Sequence, residues 1–151
     1  MKKTIFKGMA TAMVTPMTPE GVDYEALGRF IDFQLESGIN ALVAVGTTGE
    51  SATLTPEERE KVIAFTIDRV AGRVPVIAGT GTNNTQHAVN FSVSAAQAGA
   101  DALLVVTPYY NKATQNGLIA HFTTIADKVD KPIILYNVPS VSYTHLTLPT
   151  I

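Results

Sequence analysis

The stretch Ala41-Leu-Val-Ala-Val-Gly-Thr-Thr-Gly-Glu-Ser-Ala-Thr-Leu-Thr-Pro-Glu-Glu58 contains the unit from which most of the chain is built. Its first five residues form a continuous apolar run, which is typical of a parallel β-strand covered on both faces. A turn rich in glycine and hydroxyl groups follows. Thr55, Pro56 and Glu58 then supply the cap, the first-turn proline and the capping-box glutamate of a helix. The stretch therefore predicts a strand, a polar loop and a helix in succession.

The same strand-then-helix pattern recurs along the chain. Short apolar runs predict five strands, over Met9–Val14, Ala41–Val45, Val76–Ala78, Ala102–Val106 and Ile133–Tyr136. Four segments of helical period lie between them, marked by Leu27, Phe30, Ile31 and Leu35, by Val62, Ile63, Thr66, Ile67 and Val70, by a cap at Asn83 or Asn84, and by Leu118, Phe122, Ile125 and Val129. This strict alternation predicts an α/β protein with a parallel sheet.

Two architectures fit the alternation: an open, doubly wound sheet and part of a (β/α)₈ barrel. Five strands complete a flavodoxin-like sheet, whereas a barrel needs eight strands and usually about 250 residues. Chain length by itself therefore favours the open sheet. The order of the strands distinguishes the two, since an open sheet would run 2-1-3-4-5 and a barrel sector 1-2-3-4-5.

The composition excludes several classes of function. The 151 residues are 46% hydrophobic, which is enough for a sizeable core. A net charge of −2 offers no basic face, so we expect no nucleic-acid partner. The chain has no cysteine, and its three histidines lack the spacing of a metal site, so we expect no metal.

No membrane partner is expected either, because no apolar run approaches the roughly 20 residues that span a bilayer. The segment Met1-Lys-Lys-Thr-Ile-Phe-Lys7 resembles the start of a signal peptide, but Lys7 interrupts it before an apolar segment forms. We therefore expect a cytoplasmic location.

The residues that follow the predicted strands are candidates for a site, because ligands of parallel α/β folds bind at the carboxyl ends of strands. These ends are Thr15-Pro16, Gly46–Ser51, Gly79–Asn83, Thr107–Asn111 and Tyr136–Pro139. They carry hydroxyls, phenols and glycines, with Glu50 as the one charged residue. Such groups suit the binding of a small oxyacid and the passage of protons between hydroxyls.

Neither glycine-rich loop fits a nucleotide site. Gly46–Ser51 lacks the Gly-Lys-[Ser/Thr] ending of a phosphate loop. Two interpretations of this loop remain: a tight turn, or a nest in which backbone N–H groups and two hydroxyls hold a carboxylate. Gly79-Thr-Gly-Thr-Asn-Asn84 has Asn84 where a dinucleotide fingerprint needs its third glycine. The next strand also ends in Thr107-Pro108 rather than in an acidic residue.

Four motifs, taken in order, resemble the 4-hydroxy-tetrahydrodipicolinate synthase (dihydrodipicolinate synthase) family of pyruvate-dependent class I aldolases. They are Val45–Leu54, Pro75–Gly81, Val106–Asn111 and Ile134–Ser140. The resemblance implies a (β/α)₈ TIM barrel, of which this chain would hold the first five strands as (βα)₄β. It overrules the expectation from length, and we predict that residues 1–140 are the N-terminal part of such a barrel.

The resemblance also implies a function. The family condenses pyruvate with aspartate-4-semialdehyde in lysine and diaminopimelate biosynthesis, through a lysine Schiff base, without a cofactor, and as a homotetramer made of two tight dimers. A second pyruvate-dependent lyase, similar to N-acetylneuraminate lyase, is the alternative within the superfamily, where Ser-Thr rather than Thr47-Thr48 is expected. Without the resemblance, the chain would be a non-enzymatic, flavodoxin-like binding module.

By the same resemblance, four residues acquire roles. Thr47 matches a threonine that links two tyrosines in a proton relay, and Tyr136 matches the phenol that donates and accepts protons. Tyr110 matches a tyrosine that reaches across the tight-dimer interface into the neighbour's relay. Thr48 matches the residue whose hydroxyl and N–H hold the pyruvate carboxylate. A threonine hydroxyl is both donor and acceptor, so it can pass protons between two phenols.

The chain departs from the family pattern after Ser140. Val141 stands where an arginine at the pocket mouth is expected, and residues 141–151 show no resemblance, so we expect them to be a foreign or misassembled tail. A natural short paralogue is the alternative. The last lysine of the chain is Lys131, before the fifth strand. The Schiff-base lysine is therefore missing, and we expect the 151-residue polypeptide to be inactive.

A second departure concerns feedback regulation. In lysine-inhibited members of the family, the effector site contains asparagine, tyrosine, glutamate and histidine side chains. Asn83 and Tyr109 match that set, but His87 replaces the glutamate, and Pro56 and Arg59 replace the two histidines. Strong inhibition by lysine is therefore not expected.

Overall fold

The computed structural model describes residues 4–138 as a parallel sheet with helices between successive strands. The strands are β1 (Ala10–Ala12), β2 (Ala41–Ala44), β3 (Val76–Gly79), β4 (Ala102–Val106) and β5 (Ile133–Tyr136). The helices are α1 (Tyr24–Glu36), α2 (Pro56–Val70), α3 (Thr85–Ala98) and α4 (Gln115–Ala126). The predicted alternation of strands and helices is confirmed.

The strands pair in sequential order from β1 to β5, and every pair is parallel. This is the order of a barrel sector, so the open sheet that chain length favoured, and the flavodoxin-like module with it, is wrong. The physical reason lies in the connections. Each right-handed crossover adds the next strand on the same side of the sheet, so the strand order never reverses and the helices remain on one face.

Alternation of side chains gives the sheet two different faces. On the helix side, residues such as Leu42, Val76, Leu103 and Val105 pack in one core with the apolar sides of the helices. The opposite side, called the inner face below, has its own cluster of Ala41, Val43, Ile77 and Ala102, against which Ile5, Phe6, Leu104 and Ile134 pack. Apolar cover on both faces explains the continuous apolar runs in the sequence.

The helices begin where their capping residues predict. The Thr55 hydroxyl accepts the N–H of Glu58 at 3.2 Å, and the Glu58 carboxylate accepts the N–H of Thr55 at 2.8 Å. Of the two candidates for the third cap, Asn84 is the one whose side chain accepts the N–H of His87, at 3.0 Å. Val129, expected in the fourth helix, lies beyond the end of α4 but still packs against the helix-side core.

A small antiparallel hairpin between β1 and α1 was not predicted. It pairs Met17–Thr18 with Gly21–Val22. Each strand has only two residues, too few to produce a detectable alternation of apolar and polar side chains. The intervening Pro19-Glu20, followed by Gly21 at a φ of 128°, is the turn signal that sequence analysis could have used.

Within residues 4–138, no helix combines the length and the apolar character needed to cross a bilayer. No three His, Asp or Glu side chains of this part of the chain come close enough together to share a metal ion.

The first prediction concerns the polypeptide of residues 1–151 produced by itself. We expect it to aggregate, to behave as a molten state or to pair into barrel-like dimers. In the described residues β1 and β5 each pair on one side only, and Leu135 of β5 is 36% exposed. Unpaired edges can pair with other chains. Each Å² of apolar surface left uncovered forgoes about 25 cal/mol of burial free energy, against a net stability of only about 5–15 kcal/mol. Size-exclusion chromatography with amide exchange measures this, and a monodisperse monomer with protected strands would contradict it.

Candidate functional site

A cleft at the carboxyl ends of β2 to β5 brings together the polar strand-end residues. Its lining is Thr47, Glu50, Ser51, Ala52, Thr53, Gly81, Val106, Tyr109, Tyr136 and Val138. Thr47 and Tyr136, both predicted as catalytic, lie far apart in sequence and still line this one cleft. They also line an adjoining recess with Gly46, Gly79 and Leu104. The structure thus places a threonine and a tyrosine in the lining of one cleft.

Tyr136 is positioned by the sheet. It is the last residue of β5, it stands in register with Val106 of β4, and its carbonyl accepts the N–H of Thr107 at 2.9 Å. Alternation along β5 places Tyr136 on the same side as Ile134, which packs against the inner-face cluster. The phenol therefore extends from the inner face into the cleft.

Thr47 is positioned by a short hydrogen-bonded turn. Thr47–Gly49 form one 3₁₀ turn directly after β2, in which the N–H of Gly49 donates to the carbonyl of Gly46 at 3.0 Å. The buried hydroxyl of Thr15, which follows β1, donates to the carbonyl of Gly49 at 2.8 Å. The turn is thus tied to the neighbouring strand end, and Thr47 stands exposed at the cleft.

The backbone beneath this turn is strained. Val45 has a φ of 56°, a left-handed conformation that is unfavourable for a β-branched residue. Its carbonyl lies so close to Gly79 that a Cβ at residue 79 would stand 2.1 Å from the Val45 oxygen. Residue 79 must therefore be glycine. Strain of this kind persists where the surrounding structure over-determines the backbone, often at functional sites.

A buried arginine, Arg59, contacts the backbone at Gly79. This residue of α2 is 6% exposed, and its Nη2 donates to the carbonyl of Gly79 at 3.3 Å. Its Cζ lies 4.0 Å from the centre of the Phe91 ring. Burial lowers the pKa of Arg59, and the nearby Tyr109 phenol acts in the opposite direction.

The sequence motifs indicated Arg59 only as a departure from an effector site, and its buried placement was not predicted. The signal was available in the spacing. Arg59 precedes Val62, Ile63 and Thr66 at intervals of three, four and seven residues, which puts the arginine on the buried face of α2.

The other two predicted residues stand outside the cleft. Thr48 is exposed in the turn next to Thr47 and is not among the lining residues. Tyr110 is 90% exposed, at a φ of 71°, while its neighbour Tyr109 lines the cleft. The roles assigned to Thr48 and Tyr110 stay predictions.

The sequence of this chain matches one protein family and its members. A model of the "Dihydrodipicolinate synthetase family" matches residues 5–151. That range includes 141–151, where the sequence showed no resemblance; this segment lies outside the described residues, and its interpretation as a foreign tail stays a prediction. The 4-hydroxy-tetrahydrodipicolinate synthase of Thermoanaerobacter sp. (strain X514) is 60% identical over 136 residues, which are 90% of this chain and 46% of that protein.

Solved structures agree with the sequence relatives. The crystal structure of dihydrodipicolinate synthase from Aquifex aeolicus matches with a TM-score of 0.89 at 54% identity, covering 91% of this chain and 47% of that one. The chloride-inhibited enzyme from Acinetobacter baumannii, complexed with pyruvate, matches with a TM-score of 0.89 at 48% identity, covering 93% and 48%. The chain spans about half the length of the relatives it matches. With a family model matched over almost its whole length and a relative at 60% identity, the chain belongs to the dihydrodipicolinate synthetase family.

Proposed function

We propose that this chain is the amino-terminal part of the barrel of a 4-hydroxy-tetrahydrodipicolinate synthase, which condenses pyruvate with aspartate-4-semialdehyde in lysine biosynthesis. The observation that carries the proposal is the shared cleft of Thr47 and Tyr136 at the carboxyl edge of the sheet. The names of the relatives support it, and one of the similar structures is a complex with pyruvate. They also favour the synthase over a lyase that acts on N-acetylneuraminate.

The chemistry of the proposal needs a lysine that this sequence does not contain after β5. An amine attacks the ketone of pyruvate to give a carbinolamine, which loses water to form an imine. Departure of water requires a proton for the leaving hydroxyl, and enamine formation removes a proton from the methyl carbon. Lys112, Lys128 and Lys131, the last three lysines, are not among the cleft-lining residues. The lysine would come from strand six of a complete barrel, and no cofactor takes part.

Thr47 and Tyr136 would carry these protons in the proposal. A cleft that limits access of bulk water makes a relay of hydroxyl groups necessary, because protons cannot exchange freely with solvent. Thr48 would hold the pyruvate carboxylate through its hydroxyl and N–H. Tyr110 would enter the relay of a neighbouring subunit in a tight dimer, two of which form the tetramer. Its 90% exposure supports a position available to a partner. The assembly would work in the cytoplasm.

The second prediction concerns the polypeptide of residues 1–151 by itself, which should not form an imine with pyruvate. Among residues 4–138, no lysine lines the cleft. Borohydride reduction in the presence of pyruvate, followed by intact-mass measurement, tests this. A stable adduct on any lysine would show that the proposed source of the Schiff base is wrong.

The third prediction uses a fusion enzyme, defined as residues 1–138 of this chain joined to the remaining carboxyl-terminal part of the Thermoanaerobacter relative. It should condense the two substrates, and Thr47→Val, Tyr136→Phe and Tyr110→Phe should each lower kcat. General acid–base groups contribute typically about 10²–10⁴-fold, and members of one relay should be non-additive. Steady-state kinetics of the single and double variants measure this.

Matched controls for these variants lie outside the cleft. Thr124→Val removes an exposed hydroxyl on α4, and Tyr24→Phe keeps a ring that packs against Phe65. Both should leave kcat close to that of the parent fusion. Parental rates in a relay variant would remove that residue from the catalytic set, and a folded fusion that forms no imine would contradict the proposed function.

A further inference from the structure

Arg59 is the one Lys, Arg, Asp or Glu side chain that is fully buried between residues 4 and 138. No carboxylate forms a salt bridge with it in that part of the chain. Its Nε is also buried and has no hydrogen-bond partner among the described residues. A buried cation without a counter-charge costs free energy, so its position calls for a reason other than stability.

The contacts of Arg59 join three elements beneath the cleft. Arg59 belongs to α2, its guanidinium stacks over Phe91 of α3, and its Nη2 donates to the carbonyl of Gly79, the last residue of β3. Stacking and the hydrogen bond hold the planar guanidinium in one orientation. Arg59 is also within electrostatic range of Tyr109, which lines the cleft.

The hydrogen bond reaches the turn of Thr47 through tightly packed backbone. A Cβ at Gly79 would stand 2.1 Å from the carbonyl oxygen of Val45 and 2.9 Å from the nitrogen of Gly46. The backbone of Gly79 is therefore in direct contact with the backbone of Val45 and Gly46 on this side. A shift of the Gly79 carbonyl must therefore move Val45 and Gly46, and Thr47 is the next residue.

We propose that Arg59 is a positioning residue, which fixes the end of β3 against the Val45–Gly46 backbone and thereby sets the place of the Thr47 hydroxyl in the cleft. It does so from α2, without contact with substrate. The effect of Arg59 on catalysis through Thr47 rests on the proposed function. The effect of Arg59 on the position of the Gly79, Val45 and Gly46 backbone does not depend on that function.

The fourth prediction compares three variants of the fusion enzyme: Arg59→Met, Arg59→Lys and the control Arg69→Met. Arg59→Met keeps an unbranched chain over Phe91 but removes the charge and the donors, while Arg59→Lys keeps the charge and one donor group. Arg59→Met should lower kcat at least about ten-fold, because small displacements of a reacting group are costly. KM for pyruvate should change by less than about two-fold, since Arg59 does not touch substrate. Arg59→Lys should recover part of the loss.

Arg69→Met is the matched control on the same helix, because Arg69 pairs with Asp32 at the surface. It should leave kcat unchanged. Rates are divided by the number of sites that borohydride traps with pyruvate, so a loss of folded protein does not count as a loss of rate. A parental kcat per trapped site in Arg59→Met would overturn the catalytic part of the proposal.

A second measurement needs no activity. The N–H groups of Gly49 and Glu50 donate within the turn, to Gly46 and Thr47. Their hydrogen exchange should accelerate in Arg59→Met and remain unchanged in Arg69→Met. Unchanged exchange in Arg59→Met would overturn the positioning role itself. An inactive but folded parent fusion would instead count against the proposed function, and the exchange experiment would still decide the role of Arg59.

Discussion

Parallel pairing between strands that follow one another in sequence is the constraint on which the rest of the structure depends. Two parallel neighbours cannot be joined by a tight turn, so each pair needs a crossover helix on the same face of the sheet. That requirement produces the strict alternation of elements and the one-sided helical layer. It also brings the carboxyl ends of β2 to β5 to a single edge, where their polar loops form one cleft.

At that edge, several features that are locally unfavourable in free energy surround the turn of Thr47. Val45 adopts a left-handed backbone conformation. Residue 79 is a glycine, and the absence of a Cβ allows the Val45 carbonyl to approach its backbone. Arg59 is buried without a counter-charge among the described residues. Each of these features is unfavourable when taken alone. All three lie at, or contact, the strand ends next to the turn that contains Thr47, which lines the same cleft as Tyr136.

Family membership and the geometry of the cleft address different questions. Membership explains why a sheet of sequential parallel strands carries the motifs of the dihydrodipicolinate synthetase family. The cleft shows which of the motif residues line one pocket within the described part of the chain. Thr47 and Tyr136 both line it, whereas Tyr110 is 90% exposed and does not. In the proposed function, the catalytic roles of these residues belong to a complete barrel and its assembly.

The sequence by itself determined the local elements. Five strands, four helices, the capping box of Thr55 and Glu58, and the strand-end position of Tyr136 all follow from patterns within a few neighbouring residues. Such features depend on hydrogen bonds and periodicities that a short segment contains. Even the sequential strand order entered through resemblance to a family, because the residues alone left two sheet orders open.

Only the tertiary structure decided how distant segments meet. The sequence spacing could have indicated that Arg59 is buried, but not that its guanidinium lies between Phe91 of α3 and the carbonyl of Gly79 in β3. Likewise, residue 79 must be glycine because the carbonyl of Val45, which lies in a different strand-end loop, stands where a Cβ would be. These contacts depend on the packing of elements that are remote along the chain, and the sequence pattern of any one element does not contain them.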